Sequence, residues 1–329
     1  MRKRDHRIDN IRFILILLVV FAHLIEPLRG AGAVHVVYMT IYAFPLPAFV
    51  FLTGYFARFS WRRIGVLALV YVVFQTIYLL VGWGLGLTRS GVLQLQYFTP
   101  DWVMWYLFAT VVWMFIVPIL KTGNRMRMAL TLAASVAIAL GAGFVEQIGY
   151  FLSLSRILAF APFFIAGYYA RTLLGKRAGD GQAAAGQPSR AMRLVPLALG
   201  IAGAIATICV AVFAGFPPSA LYNSLPYAQT ETGPLIRLGM MVLAACWICL
   251  LFSVVPDKRV RAVTYAGAHT LPTYLLHGLV VRLLRATGVM AGLGDAATIV
   301  VSLALACAMT LAFGNRVCDK IVRLGLPGR

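Results

Sequence analysis

Residues 12–26 read Arg-Phe-Ile-Leu-Ile-Leu-Leu-Val-Val-Phe-Ala-His-Leu-Ile-Glu, an apolar run from Phe13 to Ile25 interrupted only by His23. A basic segment, Met-Arg-Lys-Arg-Asp-His-Arg-Ile-Asp-Asn-Ile, precedes it. The run is too long, and too poor in small residues at its end, for a cleaved signal peptide, so it reads as a retained membrane helix. An imidazole at membrane depth is costly and points to function. His23 lies eleven positions after Arg12. At about 100° each they return to within roughly 20° of the same face, about 16 Å along the axis. Asp9 stands three residues before Arg12 and Glu26 three after His23, near the same stripe. One helix thus carries a charged cluster at one end and a titratable base deep in the bilayer.

The rest of the chain agrees with that class. Its 329 residues are 61% hydrophobic and only 12% charged, more apolar surface than a soluble domain of this size can hide. The expected fold is all-α, a polytopic membrane protein with about ten spans: 11–29, 34–54, 64–87, 103–120, 127–145, 153–171, 194–215, 235–255, 262–284 and 296–316. Placing both termini in the cytoplasm puts 23 of the 29 Lys and Arg on inner segments, as the positive-inside rule requires. The net charge of +19 then follows from topology and contact with anionic membrane lipid. The basic clusters are short and lack aromatic interleaving, so no nucleic-acid partner is expected.

The whole chain, 1–329, reads as one membrane domain. A Gly-, Ala-, Gln- and Ser-rich stretch at about 175–193 looks like a flexible cytoplasmic linker between six helices and four. Outer stretches at 88–101 and 216–234 are connections or covers for a substrate entrance. No internal repeat is visible, which weighs against an inverted-repeat transporter. Cys246 and Cys249 have CxxC spacing but lie inside a span, where packing is the expected role and no metal site is implied.

Further segments join the Arg12–His23 pair: Ile41-Tyr-Ala-Phe-Pro-Leu-Pro-Ala-Phe-Val-Phe-Leu-Thr-Gly-Tyr-Phe56, Trp105-Tyr-Leu107, Pro162-Phe-Phe-Ile-Ala-Gly-Tyr168 and Tyr274-Leu-Leu-His277. In this order they resemble the membrane-bound acyltransferase family 3, and in particular its fucose 4-O-acetylase-like branch. Two positions depart from that pattern. Phe44-Pro45-Leu46-Pro47 stands where relatives commonly have Phe-His-Met-Pro, and Thr53 replaces the usual Ser before glycine. Both bear on which acceptor is used.

The resemblance implies acyl transfer, usually of acetyl from cytoplasmic acetyl-CoA, to a hydroxyl of a glycan, glycolipid or lipid-linked sugar beyond a bacterial inner (cytoplasmic) membrane. The residues fit that chemistry. Arg7, Arg12, Arg58, Arg62 and Arg63 supply cations for the CoA phosphates, although the last three are equally topology anchors. Arg12 and Asp9 organise the mouth, and the pantetheine arm is long enough to reach His23. His23 then deprotonates the acceptor or carries the acyl group transiently. Glu26, Trp105, Tyr106, Glu146, Arg156, Tyr274 and His277 are candidate substrate contacts. Trp105 and Tyr106 fit an aromatic belt or a sugar-stacking surface. Arg156 binds substrate, pairs with Glu146 or snorkels. The alternative is a ten-helix secondary transporter with His23, Glu26 and Arg156 as a polar relay.

Overall fold

The computed structural model describes residues 6–30, 32–88, 91–179, 190–213, 218–230, 233–290 and 292–326. Every regular element among them is helical. In chain order these are α1 (His6–Ile25), α2 (Gly32–Tyr42), α3 (Pro45–Phe56), α4 (Trp61–Gly84), α5 (Trp105–Leu120), α6 (Arg125–Gly141) and α7 (Leu154–Gly179). There follow α8 (Arg190–Phe213), α9 (Pro234–Val254), α10 (Arg261–Gly267), α11 (Thr270–Thr287), α12 (Asp295–Phe313) and α13 (Arg316–Val322). Nine stretches among the described residues are long and apolar enough to cross a bilayer. The chain is an all-α polytopic membrane protein.

Proline explains where the helices depart from the expected spans. The span at 34–54 is broken into α2 and α3 at Ala43 and Phe44, because Pro45 starts a helix readily but cannot continue one. The span at 262–284 is broken into α10 and α11. Within α11, Pro272 would drive its ring into the carbonyl of Ala268 if the helix ran through unbroken. The interruption, together with His277, Arg282 and Arg285, leaves this stretch outside the nine. The linker expected at about 175–193 is helical at both ends, up to Gly179 and from Arg190; residues 180–189 lie outside the described residues.

The chain divides into two compact units. The first comprises Met1–Pro45, Gly65–Leu107 and Val255–Arg329. Its axis is α1, with Leu15, Ile16, Val20, Phe21, Ala22, Leu24 and Ile25 all buried, so that it is enclosed on most sides. Packed around it are α2, α10, α11 and α12. On α10, a side chain at Gly267 would overlap the Asp9 carbonyl, so only glycine allows this approach. The first turn of α1 is held from a distant part of the sequence. Asp257 accepts from the His6 and Arg7 amides at 2.8 and 3.3 Å, placing an anion where the helix has free N–H groups. Buried Asn10 donates to the Pro256 and Lys258 carbonyls and accepts from Thr264 Oγ1 at 2.7 Å.

The second unit comprises Leu46–Ile64 and Phe108–Val254. Here α3 crosses α7 through a reciprocal pair of glycines. A side chain at Gly54 would overlap the Phe164 carbonyl, and one at Gly167 the Phe51 carbonyl. Gly200 and Gly203 on α8 likewise admit Leu250 and Cys246 of α9, so Cys246 packs as a small apolar residue. Trp247 Nε1 donates to Thr207 Oγ1 across the same pair at 3.0 Å.

Candidate active site in the first unit

His23 lies two residues from the end of α1, where Pro27 tightens the chain into a 3₁₀ turn over Glu26–Leu28. That tightening turns Glu26 back toward the imidazole, and its Oε2 lies 3.5 Å from His23 Nδ1, the outer limit of a hydrogen bond. Contacts of this kind shorten when a reacting group is seated. Three rings surround the imidazole. Trp102 meets it edge-on at 4.9 Å between centroids, Tyr42 edge-on at 6.4 Å, and His277 stacks at 5.4 Å with 29° between planes.

His277 is fully buried on α11. Its Nδ1 lies 2.9 Å from the Thr273 carbonyl oxygen. A carbonyl only accepts, so this nitrogen carries the hydrogen and Nε2 carries a lone pair. That Nε2 is buried with no hydrogen-bond partner among the described residues. A buried acceptor left unpaired costs free energy, so its place beside His23 calls for a reason. α11 can bring His277 here because Gly278 makes room for Tyr78, whose hydroxyl donates to the Leu275 carbonyl at 2.9 Å. One turn before His277, the Tyr274 hydroxyl donates to the Val103 carbonyl and accepts from the Leu107 amide at 3.3 Å. Tyr106 lies against the Tyr274 ring at 5.6 Å, and buried Trp105 against Tyr106 at 6.0 Å.

Two arginines on α11 finish the assembly. Arg282 donates to the Tyr78 carbonyl at 2.7 Å and to Asp101 Oδ1 at 2.8 Å. Arg285 reaches Glu26 Oε2 at 2.7 Å and the His23 carbonyl at 2.8 Å. Both guanidinium groups face the Trp102 ring, at 5.5 and 5.1 Å. Trp102 itself has φ of +40°, a left-handed conformation that costs a residue with a Cβ about 1–2 kcal/mol. Strain of this sort persists where surrounding contacts impose it, and it gathers at functional sites.

At the opposite end of α1, Asp9 is buried and lies 4.0 Å from Arg12, as the three-residue spacing suggests. The segment that holds this first turn carries exposed Lys258, Arg259 and Arg261. The first unit thus joins His23, Glu26, Tyr274, His277, Trp105 and Tyr106 into one network, with Arg7, Asp9 and Arg12 on the same helix. Arg58, Arg62, Arg63, Glu146 and Arg156 belong to the second unit. There Arg156 Nε donates to the Tyr222 carbonyl at 3.3 Å and faces the Tyr150 ring at 5.8 Å, while Glu146 is exposed.

The sequence reading missed Arg285, Arg282 and Asp101, and the cations of 258–261. No local signal marks the arginines as anything but loop-flanking charges. Only the paired i, i+3 spacing of Arg282 and Arg285 on one helix face hints that they act together.

A family model described as an acyltransferase domain matches residues 5–314, nearly the whole chain. The chain belongs to the acyltransferase 3 family. No curated protein matches it, and no solved structure does. The protein is therefore a membrane acyltransferase. Its family segments fall on distinct structural duties. Gly54 and Gly167 are the contact points of the α3–α7 crossing, whereas Trp105, Tyr106, Tyr274 and His277 sit in the network around His23.

Proposed function

We propose that this family member moves an acetyl group from acetyl-CoA to a hydroxyl of a glycan, glycolipid or lipid-linked sugar, within the fucose 4-O-acetylase-like branch. The observation that carries the reading is the His23 imidazole, with Nδ1 turned to Glu26 and its ring stacked on His277. A carboxylate opposite Nδ1 keeps the hydrogen there, so Nε2 can take a proton.

In the reaction, the acceptor O–H gives its proton to His23 Nε2 as its oxygen attacks the thioester carbonyl. The C–O bond forms, the C–S bond breaks, and the departing thiolate takes the proton back from Nε2. The imidazolium that forms in between faces Glu26, which offsets its charge. Tyr274, His277, Trp105 and Tyr106 line the acceptor side in this reading. Arg7 and Arg12 meet the nucleotide end of the donor. The exposed Lys258, Arg259 and Arg261, held to the same turn of α1, add the charge that phosphates require. Arg58, Arg62 and Arg63 are further candidates for those phosphates, and Glu146 and Arg156 for the acceptor. With the N-terminus in the cytoplasm, the donor enters at the start of α1. The acceptor lies beyond the bacterial inner membrane.

The experiment is acetyl-CoA turnover by the detergent-purified protein. His23→Ala should lower turnover by about 10²- to 10⁴-fold, the usual worth of a positioned general base, with acetyl-CoA binding retained. Turnover at the wild-type rate in His23→Ala would overturn the assignment. So would substrate flux driven by a proton gradient with no consumption of CoA thioester.

A further inference from the structure

Arg285 lies in the last turn of α11 and bears on the His23 imidazole in three ways without touching the ring. Its Nη2 carries two hydrogens and lies within hydrogen-bond distance of two oxygens, Glu26 Oε2 at 2.7 Å and the His23 carbonyl at 2.8 Å. Its guanidinium faces Trp102 at 5.1 Å, and Trp102 packs edge-on against the imidazole at 4.9 Å. One cation therefore holds the carboxylate opposite Nδ1, the backbone that carries the imidazole, and the indole that limits its rotation.

We propose that Arg285 is a positioning residue for the transfer: by fixing Glu26 and Trp102 it holds His23 in the Nδ1–H tautomer and leaves Nε2 as the atom that accepts the hydroxyl proton. The reaction step rests on the function proposed above, whereas the tautomer does not. Which imidazole nitrogen carries hydrogen is set by the partner of the other. Here that partner is a carboxylate that Arg285 holds in place, so the proton stays on Nδ1 while Nε2 works. A third group orienting the base is the logic of hydrolytic triads. A plain structural role is the competing account, but a partly exposed ion pair joining the ends of two helices adds little stability. Arginine suits the positioning role better than lysine, since its flat guanidinium stacks on an indole as well as bonding.

The test uses the full-length protein labelled with ¹⁵N-histidine, which has five histidines to resolve, with the His23 signal assigned by its loss in His23→Gln. The wild type should show hydrogen on His23 Nδ1 and none on Nε2. Arg285→Ala should give mixed tautomers at His23, and Arg285→Lys an intermediate state. His35, His269 and His277, whose Nδ1 atoms face the Arg29, Tyr265 and Thr273 carbonyls, should stay unchanged and so report an intact fold. In the same variants kcat should fall by roughly ten- to a hundredfold, as outer-shell partners of working histidines typically require, with KM for acetyl-CoA little changed and partial recovery in Arg285→Lys. Hydrogen on His23 Nε2 in the wild type would overturn the proposal. An Arg285→Ala protein with unaltered His23 signals would do the same. A wild type that turns over no acetyl-CoA would sink the function proposed above and leave the tautomer measurement to decide this one.

Discussion

Two arginines, one in each unit, are held in nearly the same way and end on different partners. Arg237, near the start of α9, is buried, donates to the Ala139 carbonyl at 2.8 Å and stacks over the Tyr227 ring at 4.5 Å. Tyr227 in turn donates to the Leu140 carbonyl at 2.9 Å, and Gly143 leaves room for its ring. Burial pushes the Tyr227 hydroxyl above its usual range although Arg237 pulls it down, so it remains a neutral donor. Arg285 also combines a carbonyl and an aromatic ring, but adds a carboxylate that faces an imidazole. The first assembly ends on backbone, and its consequence is a fixed loop. The second ends on a group that can gain and lose a proton. The surroundings of a cation, more than its burial, separate structural from chemical duty.

If that distinction holds, substitutions at the packing positions of the second unit should change stability and leave turnover per folded molecule alone. The largest loss is expected from Gly167→Val. Its side chain would meet the Phe51 carbonyl and the Tyr55 amide, backbone groups that cannot rotate away. Forcing α3 off α7 should cost about 3 kcal/mol or more, read as a loss of folded protein in detergent melts. Full stability in Gly167→Val would show that the crossing is looser than it looks. A smaller loss is expected from Arg237→Met, which keeps the length of the side chain but not its bond or its stacking. Single polar contacts in membrane proteins contribute on the order of 1 kcal/mol and a cation over a ring adds a similar amount, so about 1–2 kcal/mol should go. Melting temperature and specific activity, measured on the same preparation, check both halves of the claim. Turnover that collapses in Arg237→Met while stability is kept would erase the contrast between the units.

What the sequence disclosed, and what it withheld, follows the same division. The helical class and nearly all the spans were visible because hydropathy is a local quantity. The two breaks were written in Pro45 and Pro272, yet proline is common in membrane helices and does not announce by itself whether it kinks or breaks. His23 with Glu26, and His277 with Tyr274, could be read as pairs because helical spacing relates residues three apart. That residues 23 and 277 stack could not, since nothing local links positions so distant along the chain. That Asn10 is a buried tether to residues 256, 258 and 264 could not be read for the same reason. Gly54 drew notice as part of a segment that carries the family resemblance, and its structural duty is close helix packing. The acidic residue nearest Arg237 along the chain, Glu231, lies outside the described residues, whereas the partners Arg237 has, Ala139 and Tyr227, are not signalled by local sequence.

The smallest change in stability, and the sharpest division between the units, is expected from His277→Phe. Phenylalanine occupies the imidazole's volume and can keep the contact with His23. What it removes is a fully buried Nε2 that has no partner among the described residues. Replacing an unsatisfied buried acceptor by an apolar group of similar shape is close to neutral, or stabilising by up to about 1 kcal/mol. The lost bond from Nδ1 to the Thr273 carbonyl acts in the opposite direction, by a comparable amount. The melting temperature should therefore hold or rise slightly. Acetyl-CoA-dependent transfer should nevertheless fall by roughly ten- to a hundredfold, the worth of one hydrogen bond that a neighbouring hydroxyl of the acceptor donates to Nε2 and that orients the acceptor toward His23. A residue kept for packing would behave the other way, giving a less stable protein that works as well as before. That result would make His277 the counterpart of Arg237 and leave His23, with Glu26 and Arg285, as the whole of the chemistry.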